Sequence, residues 1–121
     1  VVFNNSTLGM VKLEMLVNGL PDFQTDVPDT NYADIARAIG FHAERVEDAS
    51  RLEDAYREAF AAPGPALVEV ITDPNALSLP PAITGGQVVG FATAMSKIVL
   101  NRGIAEAFSM ATSNMRNIPR L

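Results

Sequence analysis

Asn4-Asn5-Ser6-Thr7-Leu8-Gly9 is the stretch of this chain whose residue types could carry chemistry. A carboxamide oxygen is a neutral, hard ligand. With a backbone carbonyl two residues further on, it can fill two positions of an octahedral magnesium ion. Such an ion holds a diphosphate, whose remaining charge suits the amino terminus of a helix starting near Leu8. Gly9 would let a phosphate approach the backbone with no Cβ in the way. The same asparagine pair also suits a turn in which the side chains bond their own backbone.

Other chemistries lack their residues. There is no cysteine, which excludes thiolate metal sites, disulfides and a cysteine nucleophile, and one histidine, His42, which excludes any site needing two. His42 reads as a partly exposed sheet residue. The serines have no histidine partner for a triad. Asp22, Asp26 and Asp29 share a loop without the spacing of a calcium loop. The net charge is −5, divided into −8 over residues 1–75 and +3 over residues 76–121. That balance argues against nucleic acid as a partner and for two parts with different surroundings.

The elements needed to position the asparagines can be read from the pattern. Val1-Val2-Phe3 is a strand end. A chain opening inside a buried strand is expected to be the carboxyl-terminal piece of something longer. Leu8, Val11, Met15 and Leu16 form a helix face, ended by Asn18-Gly19. Asp29 or Thr30 caps a second helix with Tyr32, Ile35, Ala36 and Ile39 inward, stopped by Gly40. Phe41 to Val46 alternates as a short strand. Asp48 or Ser50 caps a helix carrying Leu52, Ala55, Tyr56, Ala59 and Phe60. Ala66 to Ile71 is the continuous apolar run of a central parallel strand. The order strand, helix, helix, strand, helix, strand predicts an α/β fold, a three-layer αβα arrangement on a parallel sheet, with C-terminal helices added. After the extended Leu77–Ile83 connector, Thr84 caps a long helix with Val88, Phe91, Met95 and Ile98 on one face. A second helix follows Asn101-Arg102-Gly103, with Ile104, Phe108, Ala111 and Met115 aligned. The expected division is therefore a body, residues 1–82, and a helical tail, residues 83–121.

The run Val1 to Met10 resembles the second half of the thiamine-diphosphate enzyme motif, its double asparagine included. The likeness continues through Asp29 to Ala33, Ile35-Ala36, Gly40, Gly64 to Val70, Leu79-Pro80-Pro81 and Gln87 to Asn114. Within that superfamily the chain is most similar to the C-terminal thiamine-diphosphate-binding domain of bacterial pyruvate oxidases, the pyruvate dehydrogenases that reduce quinone. The resemblance implies metal ligation by Asn5 and by the carbonyl of Thr7, and a diphosphate lined by Asn5, Ser6, Thr7, Leu8 and Gly9. It assigns catalytic positions to Met10 and Glu14. Acetolactate synthases share Leu-Gly-Met-Val but carry tryptophan where this chain has Glu14, which favours the oxidase.

By that resemblance the intact enzyme converts pyruvate to acetate and CO2 using thiamine diphosphate and Mg2+. It passes electrons through FAD, held by a domain outside this chain, to a membrane quinone. The implied assembly is a homo-oligomer, a homotetramer. The implied location is cytoplasmic, at the inner face of the bacterial cell membrane, with residues 84–121 as a peripheral contact. The 121 residues by themselves are expected to be inactive. The alternatives are an acetolactate synthase-like carboligase and a non-catalytic α/β interaction module.

Overall fold

The computed structural model describes residues 1–77 and 83–115, and nine elements follow one another along them. They are strand β1 (Val2–Asn4), helix α1 (Gly9–Val17), helix α2 (Tyr32–Ala38), strand β2 (His42–Val46), a 3-10 turn (Ala49–Arg51), helix α3 (Leu52–Ala61), strand β3 (Ala66–Ile71), helix α4 (Gly85–Arg102) and helix α5 (Ile104–Asn114). The fold is α/β on a parallel sheet, as the apolar run at Ala66 implies. The expected connector through Leu79-Pro80-Pro81, the boundary at residue 82 and the tail beyond Met115 lie outside the described residues.

The residues divide into two compact units. The first, Val1–Ser6 with Pro28–Thr72, holds the sheet in the order β1-β3-β2, both pairings parallel. Side chains alternate across a strand, so β3 serves two faces. Val68 and Val70 pack with Val46 against Ala55, Leu52, Tyr56 and Ala59 of α3. Glu69 points the other way, where its carboxylate accepts from the Ala33 amide of α2 at 3.0 Å. Helices thus cover both faces of the sheet, which is why its central strand lacks the in-out polar alternation of a half-exposed strand.

Two expectations for α2 need correction. Its cap is Asn31, whose side chain accepts from the Asp34 amide, not Asp29 or Thr30. Both of those are engaged elsewhere: the Asp29 carboxylate and the Thr30 carbonyl face Arg45. The inward face is Ala33 and Ala36, while Tyr32, Ile35 and Ile39 are exposed. Only small side chains fit here, because the helix must come close enough for a backbone amide to reach Glu69. Phe60 of α3 is likewise not core, at 90% exposure. Asp48 caps the 3-10 turn rather than α3, accepting from the Ser50 amide at 2.9 Å, and α3 starts after Arg51 without a side-chain cap.

The second unit, Thr7–Val27 with Asp73–Leu121, is helical. Its core is Leu13, Leu16, Leu77, Ala94, Ile98 and Met110. Helix α1 turns Leu13 and Leu16 inward, so Leu8 and Val11 of the expected face are exposed. A Cβ at Gly90 would overlap the Val17 carbonyl oxygen, so α1 and α4 cross at van der Waals contact of their backbones. The chain leaves α1 through Gly19 at φ +78°, a conformation with little steric cost only for glycine. Thr84 opens α4 with a reciprocal capping box to Gln87, as its position suggests. Helix α5 buries Met110 and Asn114; the Ile104, Phe108 and Met115 stripe faces outward instead.

Candidate thiamine diphosphate site

The two asparagines at the end of β1 do different work. Asn4 is buried, at 6% exposure, and its backbone carbonyl extends the sheet by accepting from Thr72 at 2.9 Å. Its side-chain Nδ2 donates to Glu69 Oε1 at 2.7 Å and to the Thr30 carbonyl at 3.1 Å. Both partners accept only, so the amide has one orientation. Oδ1 then faces forward and accepts the Ser6 amide at 3.0 Å. Ser6 sits at φ +50°, unusual for a residue with a Cβ. The turn needs that bond, and half-buried Asn5 lies at its apex. Asn4 therefore fulfils the turn-forming reading, and the candidate ligand is the second asparagine.

Glu69 is the residue that sequence reasoning did not single out for the site. It is completely buried, and three donors converge on its two oxygens: Asn4 Nδ2, the Ala33 amide and Arg45 Nη1 at 3.2 Å. Arg45 stands beside it on β2 by sheet register. The guanidinium also meets Asp29 at 3.0 Å and Glu47 at 3.1 Å, and these bonds, Asp29 first, raise its pKa above the ordinary arginine value. The signal was available: a glutamate inside an otherwise apolar central strand must have partners.

In the second unit, Thr7 is buried, and its hydroxyl donates to the Thr25 carbonyl at 3.1 Å. The Leu8 amide donates to the same carbonyl at 2.7 Å, and Thr7 forms an antiparallel bridge with Asp26. Leu8 is the N-cap of α1, without a side-chain cap, and the first turn holds no acid. Helical geometry leaves the amides of Gly9, Met10 and Val11 without intrahelical acceptors. Met10, 65% exposed, and Glu14, also exposed, lie one turn apart on the outer face of α1. Lys12 is not a partner for Glu14: it is buried and donates to Asn75 Oδ1 at 3.1 Å.

The donor chemistry fits a magnesium diphosphate. Among the described residues no group of three histidine, aspartate or glutamate side chains could hold a metal unaided. Asn5 offers only a neutral oxygen, so an ion bound there draws its anionic ligands from outside this set, as a diphosphate provides. In the second unit, the uncapped α1 terminus, free of acids, suits an anion. The second unit also carries an open apolar pocket of about 490 Å³ among Leu77, Val88, Phe91 and Met110. Its wall includes none of residues 5–10, and the Asn114 amide there is taken by the Leu77 amide and the Asn75 and Met110 carbonyls.

The sheet unit is a parallel α/β layer with Asn4 at the end of β1. Residues 1–70 match the family of the thiamine pyrophosphate enzyme, C-terminal TPP binding domain, and the chain belongs to it. It is 36% identical over 97 residues to the "Putative thiamine pyrophosphate-containing protein YdaP" of Bacillus subtilis (strain 168), an alignment covering 80% of this chain and 17% of YdaP. Against the acetolactate synthase large subunit IlvG of Mycobacterium tuberculosis (strain ATCC 25618 / H37Rv) it is 37% identical over 76 residues, 62% of this chain and 14% of IlvG. The chain thus spans less than a fifth of the length of the relatives it matches.

Proposed function

We propose that this thiamine diphosphate-binding domain works within a longer polypeptide as part of a pyruvate oxidase, converting pyruvate and water to acetate and CO2 with release of two electrons and two protons. Electrons pass in that enzyme through FAD, held outside this chain, to a membrane quinone. By the likeness to the family motif, Asn5 and the Thr7 carbonyl would hold Mg2+. The amides at the start of α1 would donate to the diphosphate, and Gly9 would keep its approach clear. When bound, thiamine diphosphate supplies the electron sink that lets a 2-oxo acid lose CO2. Met10 would lay hydrocarbon beside the reacting centre, and Glu14, one turn along the same face, would accept a proton as carboxylate or donate one as carboxylic acid.

The observation that carries this reading is the first turn of α1, uncapped and free of acids, with Met10 and Glu14 exposed on one face. A carboxylate at position 14 also separates the chain from the tryptophan-bearing carboligases. The test is to supply the full-length protein with thiamine diphosphate, Mg2+, pyruvate and a quinone. Acetate and reduced quinone are the expected products. Acetolactate as main product establishes the carboligase, whose case rests on the likeness to IlvG, and no turnover favours a non-catalytic module.

The proposed quinone reduction places the enzyme at the inner face of the bacterial membrane. No helix among the described residues is long and apolar enough to cross a bilayer. A surface contact through residues 84–121 is supported by the outward Leu100, Ile104 and Phe108. Deleting that segment is expected to reduce liposome binding while leaving pyruvate turnover with a soluble dye; unchanged liposome binding makes the helices purely structural.

A further inference from the structure

We infer that Glu69 is a positioning residue for the magnesium site, acting through Asn4 on the turn that carries Asn5. The inference rests on the assignment of Asn5 as a ligand and extends it to a residue that touches neither metal nor cofactor. Its basis is a relay of donors and acceptors. Glu69 and the Thr30 carbonyl take both hydrogens of the Asn4 amide at 2.7 and 3.1 Å. That fixes Oδ1 toward the Ser6 amide at 3.0 Å, and this bond closes the turn holding Ser6 at φ +50°. Asn5 is the residue between.

Charge matters in the relay as well as shape. Three donors meet two oxygens at Glu69. A glutamine there has one acceptor oxygen and presents an NH2 in place of the other. It must then point that NH2 at the Ala33 amide or at Asn4. In the second case Asn4 gains by turning its own oxygen toward residue 69, which removes the acceptor from Ser6. Arg45, next in register, donates to the carboxylate and is itself held by Asp29 and Glu47. Val68, one residue earlier on the same strand, faces α3 and takes no part.

The experiment compares Glu69→Gln, Asn4→Ala, Asn5→Ala and Val68→Ala in the full-length protein. Two quantities are read: binding of Mn2+, as a spectroscopic substitute for Mg2+, in the presence of thiamine diphosphate, and amide exchange of the peptide containing Ser6. Glu69→Gln should weaken metal binding about 10- to 100-fold, the range seen when partners of metal ligands are removed. It should also speed exchange at Ser6. Asn4→Ala should do both to a similar extent, and the double variant should be no worse than either single one. Val68→Ala, a core truncation on the opposite face, should leave metal affinity within about twofold. If Glu69→Gln folds poorly, Asn4→Ala alone against Val68→Ala decides the same question.

Equal metal affinity in Glu69→Gln and the starting protein, with Asn5→Ala weakened, overturns the inference and leaves the ligand assignment standing. Additive losses in the double variant overturn it too. Unchanged binding in Asn5→Ala removes the ligand assignment itself.

Discussion

At the centre of the sheet unit is a carboxylate, Glu69, fully buried and met by Asn4, Ala33 and Arg45. At the centre of the helical unit is hydrocarbon, Leu16, Ile98 and Met110, with Arg102 nearer the surface, bonded to Asp22 and Glu106 at 3.0 Å, and buried Lys12 donating to Asn75. The contrast separates two ways of fixing a backbone. Hydrogen bonds to a buried charge are directional, so the sheet unit can dictate which way an amide points and hence the shape of a turn. Close packing fixes distance without dictating orientation, and the helical unit uses it to bring α1 and α4 together at Gly90. The sheet unit should therefore be sensitive to changes of charge at constant volume, and the helical unit to changes of volume at constant polarity.

Substitutions can break or sharpen that contrast. The largest effect is expected for Glu69→Ala, which takes the acceptor from the buried Asn4 amide and Ala33 N–H; each buried donor left unsatisfied costs about 1–3 kcal/mol. Urea unfolding of the chain measures it, and a loss below about 1 kcal/mol would show that the carboxylate is not the anchor. Gly90→Ala adds one methyl group where the Val17 carbonyl lies, and forced overpacking costs about 1–3 kcal/mol. A neutral result there would mean that the helices do not approach so closely. Thr84→Ala removes the hydroxyl half of the capping box and should cost about 1 kcal/mol, read as a lower midpoint in thermal unfolding.

The smallest effect concerns pH. Hydrogen bonds from the Ser50 amide and side chain hold the Asp48 carboxyl below its ordinary 3.8. A carboxyl depressed in the folded state contributes stability that is present above the unfolded value and lost as pH falls through the folded one. Asp48→Asn keeps an acceptor for Ser50 and removes the titration, so the stability profile below about pH 4 should become slightly flatter. An unchanged acid profile would show that Asp48 has no part in it.

Much of this architecture is legible in the residues, because order and punctuation depend on local chemistry. Asn18-Gly19, Gly40 and Pro63-Gly64-Pro65 end elements, Thr84 with Gln87 starts one, and Ala66 to Ile71 can only be a strand covered on both faces. Helix faces were harder to read. Tyr32, Ile35 and Ile39 have core-like spacing, yet α2 packs through Ala33 and Ala36, because the distance to Glu69 selects for small side chains. In α5 the larger Ile104 and Phe108 stripe hides the buried one through Met110 and Asn114, where a polar side chain satisfies three backbone groups. At the candidate site, the resemblance already names Asn5 as the ligand; what the sequence does not show is what Asn4 does instead, because its partner Glu69 lies 65 residues away.

The central claim is that Asn5 is the metal-bearing member of the pair. Its most direct test is Mn2+ titration of the full-length protein with thiamine diphosphate, comparing Asn5→Ala with Asn18→Ala at the far end of α1. The Asn18 side chain donates to the Glu14 carbonyl at 2.8 Å. The account predicts a sharp loss of metal affinity in Asn5→Ala, well beyond tenfold, and little change in Asn18→Ala. Equal affinities in the two variants would contradict it.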